Sequence, residues 1–292
     1  MTPVAVGLVG AGIWAGAFHA PMLAQGPQTR LAGVWTRRPE AGRELAGRFG
    51  VPYCADYRDL LDRCEAVAFA VPPDAQAELA AQAARAGRAL LLDKPVALDL
   101  AAAEELAAVA GASGVPTQLV MTHRYRPAVR EFLARARDFP VLGARASQLT
   151  SEFIEGPFLG HPWRVRRGVL YNTGPHGLDL LDAAIGPIKE IRAAGDPQGF
   201  LALTCLHEGG AISQLALCGK VPGVGRRTVY ELYGPRGELV LDFARLPQDS
   251  DATRGILREE FAAVVRTGRS HPIDVHRGVH LQRLLDQVWR DL

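Results

Sequence analysis

Cysteine is scarce in this 292-residue chain. The four present, Cys54, Cys64, Cys205 and Cys218, have no C-x-x-C spacing and are too sparse for a disulfide scaffold. They read as reduced, packed thiols. A charge excess is missing too: 33 Lys and Arg stand against 31 Asp and Glu, a formal net charge of +2. Nothing global therefore calls for nucleic acid or an anionic membrane as partner. No stretch approaches the roughly 20 uninterrupted apolar residues that a bilayer span requires. The first residues lack a basic segment followed by a signal-type apolar core, so a cytoplasmic location is expected. Repeats and low-complexity tracts are absent. His276 and His280 lie four apart, but no carboxylate–His pattern completes a ligand set, and no metal is expected.

What is present is apolar bulk. Hydrophobic residues make up 48% of the chain, enough for a substantial core, and the length allows one large domain or two ordinary ones. The first 120 residues alternate short β-like runs with helical ones. Candidate strands are 4–9, 31–35, 66–71, 89–92 and 117–121; candidate helices are 15–24, 40–49, 75–86 and 100–110. That alternation predicts a doubly wound parallel sheet. Asp99 is placed to cap the last helix, and Gly87 and Gly111 fit helix C-termini.

The rhythm then changes. A helix over 127–137 precedes a strand-like run near 144–153, a Gly/Pro/Arg-rich loop through Gly168, and a helix at 175–184. Runs at 188–194, 200–206, 211–217, 227–233 and 238–243 follow without helices between them, joined by short Gly-containing links at 208–210 and 234–237 that suggest antiparallel hairpins. Two helices, near 255–266 and 276–289, close the chain. The expected organisation is a Rossmann domain over 1–120. An α+β domain over 121–292 follows, with a largely antiparallel open sheet and a substrate cleft between the two.

The most informative segment is VGLVGAGIWAGAFHAP at 6–21. An apolar strand meets Gly10-Ala11-Gly12, and a helix-compatible stretch follows. Gly10 permits a tight turn, Gly12 lets the backbone approach a pyrophosphate, and Ala15 lets helix and strand pack closely. The helix N-terminus then offers N–H groups and a partial positive charge to the anion. Coenzyme contacts are assigned to Gly10, Gly12, Ile13, Trp14, Thr36, Arg37, Arg38, Val71, Pro72, Asp93 and Lys94. The second strand ends in Thr36-Arg37-Arg38 rather than in the carboxylate that would accept from both ribose hydroxyls. A hydroxyl and guanidinium forks suit a 2′-phosphate, so NADP is favoured and NAD remains open. The competing reading makes Arg37 and Arg38 the solvated start of a helix. His19 either faces the coenzyme crevice or packs beneath the glycine turn.

Two segments carry candidate chemistry. Lys94, in LLLDKPVAL at 90–98, follows a buried-type run at a strand's carboxyl end, where its ammonium can hold a substrate oxygen. Pro95 fixes the turn, with a cis bond as one option. In GVLYNTGPHGLDLLDAAIG at 168–186, a continuous helix would set Asn172, His176 and Asp179 on one face. His176 is the natural acid/base, because imidazole titrates near neutrality.

G-x-G-x-x-A with F-H-A-P, then D-K-P, then Y-N-x-G-x-H-x-x-D together resemble the glucose–fructose oxidoreductase/inositol dehydrogenase/MocA family. Residues 120–129 and Pro162-Trp163-Arg164 extend the likeness over essentially the whole chain. The resemblance implies an NAD(P)-dependent oxidoreductase acting on a secondary alcohol or ketone of a sugar, cyclitol or related small molecule. It implies that Lys94 contacts substrate and nicotinamide and that His176 exchanges the hydroxyl proton. It also implies a homodimer or homotetramer formed through the C-terminal sheet. Two departures stand out. Asp93 replaces the family's Glu, and Asn172 stands where many members have Asp, so an amide orients but relays no proton. Substrate contacts are expected from Lys94, Arg124, Tyr125, Trp163, Arg164, Asn172, His176 and Asp179. Arg166 and Arg167 either extend the site toward an acidic substrate or form a solvated loop. An inactive dinucleotide sensor and a C=N or C=C reductase are the alternative functions.

Overall fold

The computed structural model describes residues 2–156, 159–224 and 226–292. The expected loop through Gly168 falls in part on residues 157–158, outside the described ones. Two compact units emerge. The first comprises residues 1–122 and 250–282, the second residues 123–249 and 283–292.

Unit 1 is built on five parallel strands: β1 (Val4–Val9), β2 (Thr29–Trp35), β3 (Ala66–Phe69), β4 (Ala89–Asp93) and β5 (Thr117–Val120), in the order β2-β1-β3-β4-β5. Every residue of β1 and β3 is buried, as a sheet covered on both faces demands. The covering helices are α1 (Ala20–Ala24), α2 (Pro39–Phe49), α3 (Tyr57–Asp62), α4 (Pro73–Arg85) and α5 (Leu100–Ala112). A five-residue π-helical turn, Ala15–His19, precedes α1. Asp99 caps α5 through Ala102 N–H at 2.9 Å, as its position suggested. Gly87 has φ +74° beyond α4, but Gly111 lies inside α5; Gly114, at φ +65°, turns the chain there instead.

In unit 2, α6 (Pro127–Arg137) precedes β6 (Gly143–Thr150), α7 (Pro162–Asn172) and α8 (Gly174–Ile185). The strands β7 (Ile188–Gly195), β8 (Phe200–His207), β9 (Ile212–Cys218), β10 (Arg226–Gly234) and β11 (Gly237–Asp242) follow. Six strands form one sheet in the order β11-β10-β6-β9-β8-β7. β8–β9 and β10–β11 are the expected hairpins and β7–β8 forms another, whereas β6 inserts between β9 and β10 and runs parallel to β9. Alternation decides the faces: Ala144, Ala146, Gln148 and Thr150 of β6 are buried while Arg145 is exposed. Phe200, Ile212 and Val240 on the other side are among the exposed large apolar residues.

The closing helices α9 (Ser250–Thr267) and α10 (Val275–Asp291) were read from sequence as part of the second domain. Contacts group α9, and α10 as far as Gln282, with unit 1. Arg258 of α9 donates to Gln28 Oε1 (3.0 Å) and Met22 O (3.3 Å). The chain between the helices covers the edge of β5, with Leu119 N–H donating to Ile273 O at 2.7 Å. All four cysteines are buried and unbridged; burial pushes Cys64 up to about 11 and Cys205 up to about 12, so both stay thiols.

Candidate active site

Parallel strands leave their carboxyl ends on one edge of the unit 1 sheet, and the residues assigned to the coenzyme lie at that edge, Asp93 as the last residue of β4 and the others on the segments that leave the strands. After β1, position 10 requires glycine twice over. Its φ is +115°, and a Cβ there would stand 2.4 Å from Ala70 O. Gly10 N–H donates to Trp35 O at 2.8 Å, fixing the turn against β2. Gly12 is different, since a Cβ on it would meet nothing within 4 Å. Ile13 is 51% exposed, and Trp14 stacks on Phe18 with centroids 4.6 Å apart. A groove of about 380 Å³ opens beside this turn, between Gly12, Ile13 and Gly16 on one side and Glu44 and Arg48 of α2 on the other. Thr36 is half-buried and Arg37 and Arg38 are exposed; neither arginine pairs with a carboxylate among the described residues. Val71 and Pro72 are half-buried after β3, and Val71 lies against Gly10.

At the end of β4 the Lys94–Pro95 bond is cis. Asp93 does not stand alone. Its Oδ1 accepts Lys94 N–H at 2.7 Å, and its Oδ2 faces His19 Nε2 at 3.3 Å. Gln76 of α4, fully buried, clamps the same segment: Oε1 accepts Asp93 N–H (2.8 Å), while Nε2 donates to Asp93 O (2.8 Å) and Val96 O (3.1 Å). Sequence reading missed Gln76, because an α-helical Gln gives no local sign of a partner 17 residues away. His19 resolves to the packed alternative, buried beneath the turn.

Unit 2 holds the other cluster. Asn172 and His176 do not share one helix. Gly168 adopts φ 62°, ψ −158° within α7, which ends at Asn172, and His176 N–H donates to Thr173 O in the first turn of α8. Asn172 Nδ2 donates to Glu152 Oε2 at 2.8 Å, and Glu152 is also bound by Arg226 and stands 3.7 Å from Arg164. Asp179, buried on α8, accepts from Arg124 Nη1 with both oxygens at 3.2 Å. That bridge holds the turn at 122–125 against α8, where the His123 ring stacks on His176 at 4.3 Å and 24°.

Gln148 pins the start of α8 from below. With Nε2 turned to Thr173 O (2.7 Å), its Oε1 accepts from Gly177 N–H (3.2 Å) and Tyr230 Oη (2.6 Å), an orientation assigned from the bonding pattern. His123, Gln148 and Glu152 were not singled out in the sequence. Only His123 had a local signal, its place in the segment at 120–129.

Several assigned substrate contacts are engaged in other ways. Tyr125 is fully buried, with the Arg130 guanidinium 5.5 Å from its ring. Trp163 is 9% exposed, and Arg164 covers its ring at 5.3 Å. Arg167 lies between Tyr171 (4.8 Å) and Trp289 (4.9 Å), a packing role, whereas Arg166 is exposed. Among the described residues no group of His, Cys, Asp and Glu forms a metal cluster, and no helix is long and apolar enough to cross a membrane.

Residues 4–120 match the Gfo/Idh/MocA oxidoreductase family with its NAD-binding Rossmann fold. That match assigns the Rossmann region of the chain, residues 4–120, to the family. Among its relatives is dTDP-3,4-didehydro-2,6-dideoxy-alpha-D-glucose 3-reductase of Saccharopolyspora spinosa, 27% identical over 295 residues, covering 93% of this chain and 81% of that protein. GenD2 from gentamicin A biosynthesis, solved in complex with NAD, shares the fold with a TM-score of 0.85 at 23% identity, over 100% of this chain and 94% of that one. Levoglucosan dehydrogenase, solved with NADH and L-sorbose, has a TM-score of 0.87 at 18% identity, covering 100% and 97%.

The residues of this turn fit a nicotinamide dinucleotide. Gly12 presents open backbone with nothing within 4 Å of where a Cβ would stand, and the N-terminal end of the first helical segment, which no side chain caps among the described residues, lies next to it.

Proposed function

We propose that the chain is an NADP(H)-preferring oxidoreductase that interconverts a secondary alcohol and a ketone on a sugar-like substrate. The observation that carries the reading is Lys94, half-buried at the carboxyl end of β4, on the same sheet edge as the glycine turn. The sugar-like substrate is drawn from the relatives, a reductase of a dTDP-linked sugar and a dehydrogenase of levoglucosan among them. The NADP preference is drawn from Thr36, Arg37 and Arg38. Among the described residues both guanidiniums are exposed without a carboxylate partner, and no side chain caps the N-terminus of α2 that follows.

When bound, the nicotinamide ring supplies the site that accepts or gives a hydride. The protein's own residues handle the oxygen. Lys94 holds the substrate hydroxyl or carbonyl and favours negative charge on it. His176 takes the proton from the hydroxyl in oxidation and returns it in reduction. Asn172, engaged by Glu152, orients and relays no proton. We also assign the outer face of the C-terminal sheet, with Phe200, Ile212 and Val240 exposed, to association of copies of this chain.

The test is turnover followed at the reduced-nicotinamide absorbance band, with NADPH and NADH in turn and a panel of keto sugars, cyclitols and nucleotide-linked sugars. Consumption of NADPH with at least one of these supports the reading. Tight coenzyme binding without redox change on any member would favour a sensor instead.

A further inference from the structure

We propose that His19 and Asp93 tie Lys94 to the glycine turn, so that the segment expected to carry the coenzyme phosphates and the loop carrying the substrate amine move as one. The inference rests on the role given to Lys94 above and adds two positioning residues to it. Asp93 divides its carboxylate between two neighbours, with Oδ1 on Lys94 N–H (2.7 Å) and Oδ2 on His19 Nε2 (3.3 Å). Gln76 holds the main chain on either side of Lys94 through Asp93 and Val96. A further attachment of the loop runs through His19.

His19 is the last residue of the π-helical turn that begins three residues beyond Gly12. Its ring is fully buried and gripped edge-on by the stacked pair Trp14 and Phe18, at 6.3 and 5.6 Å. Its Nδ1 is buried without a hydrogen-bond partner among the described residues. The tautomer with the proton on Nε2 thus leaves no buried N–H unpaired, and it aims that proton at Asp93. A displacement of the turn at 10–14 is carried by Trp14 and Phe18 to the imidazole, and by the imidazole to the carboxylate that fixes Lys94 N–H. The short side chain of Asp93 suits this task, because its Oδ1 reaches the next residue's own N–H.

The test is hydrogen–deuterium exchange of the peptide spanning residues 90–98 in the whole protein, with and without NADPH, alongside NADPH binding by fluorescence. Pro95 alone in this stretch has no N–H, so fragmentation of the peptide to single amides is used to read the exchange of Lys94 itself. In His19→Leu we expect exchange about tenfold faster at this peptide without coenzyme, and loss of the extra protection that NADPH gives the native protein. NADPH affinity should stay within a few-fold while kcat falls. His19→Gln, whose amide nitrogen reaches the place of Nε2, should restore both protection and kcat. If His19→Leu does not fold, Asp93→Asn carries the same readout, since it keeps Oδ1 but turns an amide toward His19. Native exchange in these variants, with and without NADPH, would overturn the tie. Failure of the native protein to bind either coenzyme would overturn the proposed function instead, and exchange without coenzyme would still decide the tie.

Discussion

The amide of Asn172 donates to Glu152 across 2.8 Å, joining the end of α7 to the chain just beyond β6. Asn172 is 2% exposed, and Glu152 is bound further by Arg226 and approached by Arg164. An aspartate at 172 would oppose one carboxylate to another. Asn172→Asp should therefore destabilise the protein by about 2 kcal/mol at neutral pH in denaturant titration. The penalty should shrink as the pH falls through the carboxylate range, because a proton shared between the two acids relieves the repulsion. Equal stability of both proteins at pH 7 would contradict the pairing.

Gly10 and Gly12 should respond to alanine in opposite ways. Gly10→Ala combines a positive φ with a collision at Ala70 O and should cost about 3 kcal/mol. Gly12→Ala projects a methyl into open space and should leave stability within about 0.5 kcal/mol of native. It should nonetheless weaken coenzyme binding tenfold or more, as calorimetric titration beside thermal melts would reveal.

Arg37→Ala should lower NADPH affinity by about 10- to 100-fold, the size of a lost charge-assisted contact to phosphate. NADH affinity should change little. Titration of both coenzymes against both proteins checks this; equal affinities before and after would assign Arg37 to a solvated helix start.

Ile212 and Phe200 stand on the outer face of the C-terminal sheet, about half exposed at 52% and 55%. Ile212→Arg combined with Phe200→Glu should reduce the mass measured by sedimentation equilibrium to that of one chain. Folded-state spectra should be unchanged. An unaltered mass would remove this face from the assembly.

Much of this architecture is legible in local pattern. The bounds of β1 and α6 follow from apolar runs and from Pro127 at a helix start, and they need no distant partner. Other elements escape for identifiable reasons. α3 is six residues long, too short for a helical period to register. α7 contains a glycine at positive φ and reads as loop, which also hides the break between Asn172 and His176. The candidate site divides in the same way. Lys94, the glycine turn and His176 announce themselves through residue type and position along the chain. Gln76, Gln148 and Glu152 act through partners 17 or more residues away, set by sheet register and helix packing that no local window contains. Trp163 and Tyr125, expected at the substrate, are both buried, because aromatic side chains near a site are also good core residues.

The central claim is that Lys94 governs the substrate oxygen and His176 its proton. It is tested most directly by single-turnover kinetics at the reduced-nicotinamide band for native protein, Lys94→Met and His176→Ala, using a substrate found in the panel and coenzyme affinity measured in parallel. Rates should fall by about 10²- to 10⁴-fold in each variant, with coenzyme affinity nearly native in His176→Ala. Native rates in either variant would contradict it.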